Sequence, residues 1–218
     1  FVRMTRKYTH VIWDWNGTLF DDAFLCVDIM NGQLRQRNLP CLTIERYREL
    51  FDFPVKVYYD RVGFDFKLES FEVVGTEFIC LYERRKFEAG LRSDALKVLD
   101  TLQISGVAQA MLSAYKHDTL EVLVDHYHLR DFFSHLKGLD NHYAKGKVEN
   151  GLDLMHTLGC EPRKTLMVGD TVHDYDVASA MGTDCALVLG GHHPREKLVN
   201  CGVPVLESLN ELIPMIGV

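Results

Sequence analysis

Residues 8–21, YTHVIWDWNGTLFD, form a short β-rich run that reaches a carboxylate and passes directly into a turn. Aromatic and β-branched side chains dominate residues 8–13, as they do in β-strands. Asp14 closes this run, and Asn16 and Gly17 form a dipeptide typical of tight turns. The segment therefore predicts a strand whose carboxyl end carries the Asp14 side chain.

Strand and helix patterns alternate from residue 91 to the end of the chain. Apolar runs of strand length occur at residues 107–112, 165–168 and 185–189. Helical periodicity lies between them, at residues 93–106, 118–127, 148–158 and 174–181, and resumes at 196–199. This alternation predicts an α/β fold with a Rossmann-like parallel sheet covered by helices on both faces. Ligands of such sheets bind at the carboxyl ends of the strands.

Residues 21–90 have a different pattern, with helical periodicity alone. Phe24 and Val27 begin one such series, and eight of the twelve phenylalanines of the chain fall within this stretch. We therefore expect an inserted all-helical cap with a small core of its own. The predicted domains are an α/β core, residues 1–20 and 91–218, and a helical cap, residues 21–90. Since both ends of the insert return to the end of the first strand, the cap is expected to cover the site.

Chemically reactive side chains follow several of the predicted strands. Asp170 follows the strand at 165–168, and Asp174 comes four residues later at a helix start. Ser113 ends the strand at 107–112, and Lys145 and Lys147 precede the next helix. Strand-end carboxylates suit Mg²⁺, a hard cation that prefers oxygen ligands. A carboxylate nucleophile, a hydroxyl, an ammonium group and a bound cation around one point favour phosphoryl transfer.

The composition limits the partners and the compartment. The 218 residues include 24 Lys and Arg against 31 Asp and Glu, a net charge of −7, and no basic stripe is present, which argues against a nucleic-acid partner. A small phosphorylated metabolite remains possible if a cation accompanies it. The six cysteines are dispersed without a Cys-x-x-Cys pair, and no apolar run approaches the roughly 18 residues of a membrane span. These features indicate a cytoplasmic protein without a membrane partner and leave the oligomeric state open.

The residues from Asp14 to Asp21 resemble the first motif of the haloacid dehalogenase-like superfamily. Ser113 resembles the second motif, Lys147 or Lys145 the third, and the segment Gly169-Asp170-Thr171-Val172-His173-Asp174 the fourth. All four motifs occur in order over nearly the whole chain. The helical insert is similar to the small cap of phosphoglycolate-phosphatase-like members.

The resemblance implies a role for each matching position. Asp14 would attack phosphorus and form an aspartyl-phosphate, and Ser113 and a lysine would orient the phosphoryl oxygens. Lys147 is favoured over Lys145 because it lies directly at the helix start. The implied Mg²⁺ ligands are Asp14, Asp170, the backbone carbonyl of Asn16, and Asp174, which would bind the metal or its waters. The expected substrate contacts are Gly17, Thr18, Ser113, Ala114 and Lys147, with Tyr58 and Arg61 of the cap as specificity candidates.

Some of these residues have plainer interpretations. Asp174 also suits a helix N-cap, and Ser113 suits a turn or capping hydroxyl. His192 and His193 follow Gly190-Gly191 after the strand at 185–189, near the catalytic edge. We interpret both histidines as turn residues, with substrate contact as the alternative.

Asn16 departs from the family pattern. Phosphatases of this superfamily usually carry Asp at this position, where it serves as general acid and then as general base. Loss of such a group typically lowers a rate by about 10² to 10⁴. Three explanations are open. Asn16 is native, with the proton supplied by another group or with a good leaving group that needs none; or it is a laboratory substitution; or the protein binds a phosphometabolite and has weakened catalysis. A phosphotransferase or mutase is a further alternative, whereas the Gly169-Asp170 pair disfavours a dehalogenase.

Overall fold

The computed structural model describes residues 7–140 and 146–218. In chain order its strands are β1 (His10–Trp13), β2 (Phe20–Asp21), β3 (Gly90–Leu91), β4 (Ala108–Lys116), β5 (His135–Leu139), β6 (Thr165–Gly169), β7 (Asp184–Val188) and β8 (Val205–Leu206). Its α-helices are α1 (Ala23–Gln36), α2 (Ile44–Leu50), α3 (Val55–Arg61), α4 (Phe71–Arg85), α5 (Ala95–Ile104), α6 (His117–His126), α7 (Lys147–Leu158), α8 (Val172–Met181), α9 (Arg195–Val199) and α10 (Leu212–Ile216). Short 3₁₀ turns connect several of these elements.

Six strands form one parallel sheet in the order β5-β4-β1-β6-β7-β8. The predicted α/β class and parallel sheet are therefore confirmed. Strand β1 is central, with Trp13 paired to Met111 of β4 on one side and to Val168 of β6 on the other. This register brings the carboxyl ends of β1, β4 and β6 to one edge of the sheet.

Both faces of the sheet are buried, as the nearly continuous apolar strands predict. On β1, Val11 and Trp13 contribute to one hydrophobic cluster, and Ile12 contributes to the other. The second cluster includes Leu154 of α7 and Val177 of α8, which cover that face. Within residues 7–140 and 146–218, no helix combines the length and apolar character needed to cross a membrane.

Helices α1 to α4 follow β2 and precede β3, which pair with each other in an antiparallel two-stranded ribbon. The buried side chains of this insert join the cluster that includes Val11 and Trp13, so the prediction of a separate core is wrong. The helical series of α1 that begins with Phe24 and Val27 is confirmed at Met30 and Leu34, which are buried, but not at its start. Phe24 is 51% exposed, whereas Leu25 and Ile29 are buried.

Two strands differ from the sequence-based expectations. Strand β4 continues to Lys116 instead of ending at Ser113, and its pairing with β5 becomes irregular between Leu112 and Lys116. Ser113 therefore lies inside the strand, at the point where the register shifts. Strand β5 was not predicted because its sequence, HLKGL, lacks a continuous apolar run.

Candidate active site

Three buried aspartates meet at the carboxyl edge of the sheet. Asp14 follows β1, Asp170 follows β6, and Asp174 lies in the first turn of α8. One carboxylate oxygen of each lies within 4.8 Å of the corresponding atoms of the other two. We call Asp14, Asp170 and Asp174 the carboxylate cluster.

Lys147, the first residue of α7, supplies an ammonium group to this cluster. Its Nζ donates to Asp14 Oδ1 at 2.5 Å and to Asp174 Oδ1 at 2.6 Å, and its side chain is only 2% exposed. The lysine expected from the third motif thus has direct contacts with two of the three aspartates. The rival candidate, Lys145, lies outside the described residues.

Further hydrogen bonds hold the other carboxylate oxygens of the cluster. Thr18 Oγ1 lies 3.1 Å from Asp170 Oδ1 and 3.3 Å from Asp14 Oδ2, and it donates between these two side chains. Asp174 Oδ2 accepts from the hydroxyl of Thr171 at 2.6 Å and from its backbone N–H at 3.0 Å. Thr171 and Asp174 form a capping box, so Asp174 both begins α8 and faces Lys147.

The loops at residues 17 and 191 pack directly against Asp170. A Cβ at Gly17 would lie 2.3 Å from Asp170 Oδ2, and one at Gly191 would lie 2.1 Å from the same atom. Gly17 also has a φ of +74°, a conformation that side chains disfavour. Glycine at these two positions therefore lets the backbone enclose the Asp170 carboxylate.

The pKa values of the cluster reflect burial and an excess of negative charge. Burial, with repulsion from Asp174 and Asp170, raises the pKa of Asp14 against the attraction of Lys147. Burial and repulsion from Asp174 likewise raise the pKa of Asp170. Although burial opposes the charge of Lys147, the carboxylates of Asp14 and Asp174 hold its pKa above the ordinary value. One ammonium group thus leaves the three carboxylates incompletely neutralised.

This donor set fits a divalent cation. Mg²⁺ binds carboxylate oxygens. The buried cluster brings three carboxylates within 4.8 Å of one another, and the ammonium group of Lys147 is hydrogen-bonded to two of them. Asp14 and Asp170 are the residues that would hold the ion, with the backbone carbonyl of Asn16 and with Asp174 in a direct or water-mediated role.

Ser113 and Ala114 lie in β4, next to β1 at the same edge. Ser113 is buried, and its Oγ accepts from the backbone N–H of Tyr115 at 3.0 Å. None of the hydrogen bonds recorded for Ser113 in the described part of the chain reaches the carboxylate cluster. The structure thus places Ser113 at the carboxyl edge of the sheet, and its expected role stays a prediction.

A second polar group surrounds Asp22, a residue that the sequence analysis did not single out. Asp22 Oδ1 accepts from the backbone N–H of Gly17 at 3.0 Å and lies 3.3 Å from His192 Nε2. Asp22 Oδ2 accepts from Asn16 Nδ2 at 2.8 Å and from the Tyr82 hydroxyl at 2.6 Å. We call Asp22 with Asn16, Gly17, Tyr82 and His192 the Asp22 cluster.

His192 connects this cluster to the insert and to Asp170. Its ring lies in contact distance of Tyr47, whose hydroxyl is 2.8 Å from His192 Nδ1, and its backbone N–H donates to Asp170 Oδ2 at 2.6 Å. Although burial opposes the charge, attraction to Asp22, with smaller contributions from Asp170 and Asp14, raises the pKa of His192 to about 9. Contacts of both its ring and its backbone thus make His192 a buried member of the site rather than an ordinary turn residue.

The two specificity candidates of the insert have different surroundings. Tyr58 is buried, its ring lies edge-on to Tyr47 at 5.6 Å, and its hydroxyl has no hydrogen-bond partner among the described residues. Arg61 instead points to the surface of the insert, where it pairs with Asp52 at 3.0 Å and with the carbonyl of Leu50. The structure brings Tyr58, but not Arg61, into the aromatic group next to His192.

Residues 8–182 match the haloacid dehalogenase-like hydrolase family. This span covers most of the chain, including Asp14, Lys147, Asp170 and Asp174. The chain therefore belongs to the haloacid dehalogenase-like hydrolases, and the resemblance predicted from its four motifs is confirmed.

Relatives of the chain include a protein named as a phosphatase and one named as a kinase. A phosphoglycolate phosphatase of Pseudomonas savastanoi pv. phaseolicola is 28% identical over 94% of this chain and 78% of its own length. The tyrosine-protein kinase PtkA of Mycobacterium tuberculosis is 24% identical over 95% of this chain and 72% of its own length.

Solved structures share the fold over almost the whole chain. The structure of M. tuberculosis PtkA superposes with a TM-score of 0.82 at 23% identity, covering 98% of this chain and 100% of that one. A haloacid dehalogenase-like hydrolase of Streptococcus pneumoniae superposes with a TM-score of 0.82 at 17% identity, covering 96% and 98%. At these identities the superpositions speak for the fold alone.

Proposed function

We propose that the chain is a Mg²⁺-dependent phosphatase that hydrolyses small phosphate esters through a phosphorylated Asp14. The observation that carries the proposal is the buried meeting of Asp14, Asp170, Asp174 and Lys147 at the carboxyl edge of the sheet. Within the family, this arrangement supports phosphoryl transfer over other chemistry, since it combines a carboxylate nucleophile with positive charge for the phosphoryl oxygens.

The proposed roles follow from the contacts. When bound, Mg²⁺ would neutralise charge on the phosphoryl oxygens. Lys147 orients the Asp14 carboxylate through its 2.5 Å hydrogen bond and presents positive charge where the phosphoryl group enters. Thr18 holds Asp14 and Asp170 in fixed relative positions. Ser113, inside the neighbouring strand β4 at the point where its register with β5 shifts, is assigned to a phosphoryl oxygen by its place in the sheet.

In the first step, a carboxylate oxygen of Asp14 forms a bond to phosphorus while the bond from phosphorus to the leaving oxygen breaks. The leaving oxygen departs with the electron pair and requires a proton unless it is already a stable anion. The Asn16 amide cannot supply one, and its Nδ2 is committed to Asp22 and the Tyr82 hydroxyl at 2.8 and 2.9 Å. The substrates proposed are therefore aryl or acyl phosphates, whose leaving groups need no acid.

In the second step, water attacks the phosphorus of phospho-Asp14, which releases inorganic phosphate and restores the carboxylate. The amide at position 16 provides no base to take the proton of that water. Loss of a positioned base typically costs about 10² to 10⁴ in rate. We therefore expect the second step to limit turnover.

The insert, residues 21–90, is proposed as the cap that covers the substrate. Support comes from its contacts with loop 190–193: Arg48 donates to the carbonyls of Gly190 and Gly191 at 2.7 and 2.8 Å, and Tyr47 contacts His192. Tyr58 is the residue of the cap that we assign to the leaving group, because its buried hydroxyl has no partner in the described structure.

Stopped-flow assay of p-nitrophenyl phosphate with and without Mg²⁺ tests the proposal. The expected result is a Mg²⁺-dependent burst of p-nitrophenol, about one equivalent per enzyme, followed by slower release of phosphate. Asp14→Asn should abolish both phases, whereas Asp21→Asn, at the neighbouring exposed carboxylate, should retain them. An Asp14→Asn protein with normal turnover would refute the mechanism. Phosphate binding without any p-nitrophenol release would identify a binding protein instead.

A phosphotransferase is the second candidate. Its support is the similarity to a protein named as a tyrosine kinase and the absence of a base for water at position 16. The same assay with added alcohols separates the two functions. A phosphatase releases phosphate and p-nitrophenol in equal amounts at completion, whereas a transferase releases less phosphate as the acceptor concentration increases.

A further inference from the structure

Asp22 is buried with every favourable acceptor direction of its carboxylate in use. It accepts from the Gly17 backbone N–H, the Asn16 amide, the Tyr82 hydroxyl and, at 3.8 Å, the Cys26 thiol, and its Oδ1 lies 3.3 Å from His192 Nε2. An ionised carboxylate has about four acceptor sites, so this side chain is fully satisfied. It is 1% exposed, and its surroundings supply hydrogen bonds and charge rather than access to a substrate.

The contact between Asn16 and Asp22 uses the amide N–H of residue 16, a donor that an ionised carboxylate lacks. Asn16 Nδ2 donates to Asp22 Oδ2 and also reaches the Tyr82 hydroxyl, which itself donates to Asp22 Oδ2. A carboxylate in the place of the amide would turn a donor into an acceptor, 2.8 Å from the oxygen of a second buried carboxylate. Like charges at this separation, away from water, repel strongly.

We propose that Asp22 is a positioning residue, and that Asn16 and Asp22 form an exchanged pair in which each residue type requires the other. Asp22 fixes the Asn16 side chain and the Gly17 N–H in the loop that follows the nucleophile, and the amide at 16 is the partner that a carboxylate at 22 needs. The inference rests on the proposed function, because its consequence is the restricted range of leaving groups.

The pairing of Asn16 with Asp22 predicts which substitutions at these two positions would give activity on alkyl phosphates. Asn16→Asp alone should not produce a phosphatase active on alkyl esters, because the new carboxylate faces Asp22. Asn16→Asp combined with Asp22→Asn restores one amide and one carboxylate in contact, with the polarity of the hydrogen bond reversed. The Gly17 N–H and the Tyr82 hydroxyl keep acceptors in the double variant.

The test is a double-mutant cycle of the full chain: the parent protein, N16D, D22N, and N16D with D22N. The midpoint of thermal unfolding, Tm, is measured without substrate, and kcat/KM is measured for p-nitrophenyl phosphate and ethyl phosphate. Each single variant should lose roughly 5 °C or more in Tm, and the double variant should lose less than the sum of the two. The ratio of ethyl to p-nitrophenyl phosphate kcat/KM should increase at least about tenfold in the double variant and not in N16D.

Asp21→Asn is the matched control, since Asp21 is adjacent in the chain but exposed. Combined with N16D, it should rescue neither Tm nor the substrate ratio. A single N16D variant that keeps the parent Tm and gains activity on ethyl phosphate would overturn the proposal, as would additive losses of Tm. If no variant turns over p-nitrophenyl phosphate, the proposed function fails, while the Tm cycle still decides whether residues 16 and 22 are paired.

Discussion

Asp14 and Asp22 are both almost completely buried and lie only eight residues apart in the sequence. Their surroundings nevertheless differ: further carboxylates lie near Asp14, whereas hydrogen-bond donors surround Asp22. Around Asp14, carboxylates are gathered with one ammonium group, and burial and mutual repulsion raise the pKa of Asp14. Around Asp22, donors are gathered on one carboxylate. Although burial opposes the charge there, His192, Tyr82 and Asn16 lower the pKa of Asp22.

The difference separates a group that is prepared to react from one that is held in place. In the proposed mechanism, the carboxylate cluster has negative charge left to bind a cation and an oxygen of Asp14 to attack phosphorus. The Asp22 cluster has neither, because its hydrogen bonds are complete. Burial alone therefore does not identify a catalytic carboxylate; the balance of charge and donors around it does.

Removal of the Lys147 ammonium group from the carboxylate cluster should cause the largest loss in the free energy of unfolding. Lys147→Met leaves Asp14 and Asp174 without their shared ammonium group, and breaking a buried ion pair typically costs about 3–5 kcal/mol. Lys164→Met is the control, since its ion pair with Glu161 at 3.0 Å is exposed and should contribute under about 1 kcal/mol. Urea unfolding in the absence of Mg²⁺ measures both. Equal losses in the two variants would contradict the ionic account of the cluster.

Mg²⁺ should distinguish the two groups of carboxylates directly. A ligand that binds only the folded state, at a concentration 100 times its Kd, adds about 2.7 kcal/mol to stability. Asp170→Asn should lose most of this gain, whereas Asp22→Asn should keep it although it removes the same charge. Thermal unfolding over a Mg²⁺ titration measures the gain. Loss of the Mg²⁺ effect in both variants would show that the two groups act as one ion site.

The decrease of the free energy of unfolding at acidic pH should depend on His193, the neighbour of His192 that lies outside both clusters. Burial, with repulsion from Lys197, lowers the pKa of His193 to about 4, and its Nδ1 accepts from the Val172 N–H at 3.1 Å. Between pH 6.5 and about 4, His193 therefore binds more protons in the unfolded chain than in the folded one. Its contribution to the free energy of unfolding is fully present above pH 6.5 and decreases as the pH falls. Down to pH 5 the loss from this residue is about 2 kcal/mol.

His193→Gln retains an acceptor for the Val172 N–H without a titrating ring. Its unfolding free energy should decrease less steeply between pH 6.5 and 5 than that of the parent protein. Parallel curves for the two proteins would mean that His193 is already charged in the folded state.

The smallest effect should come from one donor of the Asp22 cluster. Tyr82→Phe removes the 2.6 Å hydrogen bond to Asp22, and a hydrogen bond to a charged group contributes about 1.5 kcal/mol or more. Tyr115→Phe is matched to it, since the Tyr115 hydroxyl donates to Glu83, which is more exposed. Chemical denaturation should give a smaller loss for Tyr115→Phe, and the reverse order would contradict a saturated Asp22 cluster.

The carboxylate cluster could be predicted from the sequence because each member has a local signal. Asp14 and Asp170 directly follow apolar strand runs, and Asp174 and Lys147 begin helices. In a parallel sheet, these local positions suffice to bring the side chains to one edge. The fold class followed from the same alternation of strands and helices.

The Asp22 cluster could not be predicted in this way. Asp22, Tyr82 and His192 come from three distant parts of the chain, and no periodicity relates them. The one available signal is the position of Asp22 beside the first motif, where it lies within reach of Gly17. Strand β5 and the exposure of Phe24 at the start of α1 were missed for another reason: tertiary packing there overrides a weak local pattern.

The central position of β1 also determines when the site can form during folding. His10 pairs with Ala108 and Thr165, which are 98 and 155 positions later in the chain (108 − 10 and 165 − 10). Contacts over such separations close large loops and form slowly. During synthesis, β1 is made before both of its neighbours and obtains its complete pairing only after residue 169 has been added. A shorter nascent chain therefore has Asp14 without Asp170 and Asp174, which surround it in the folded protein.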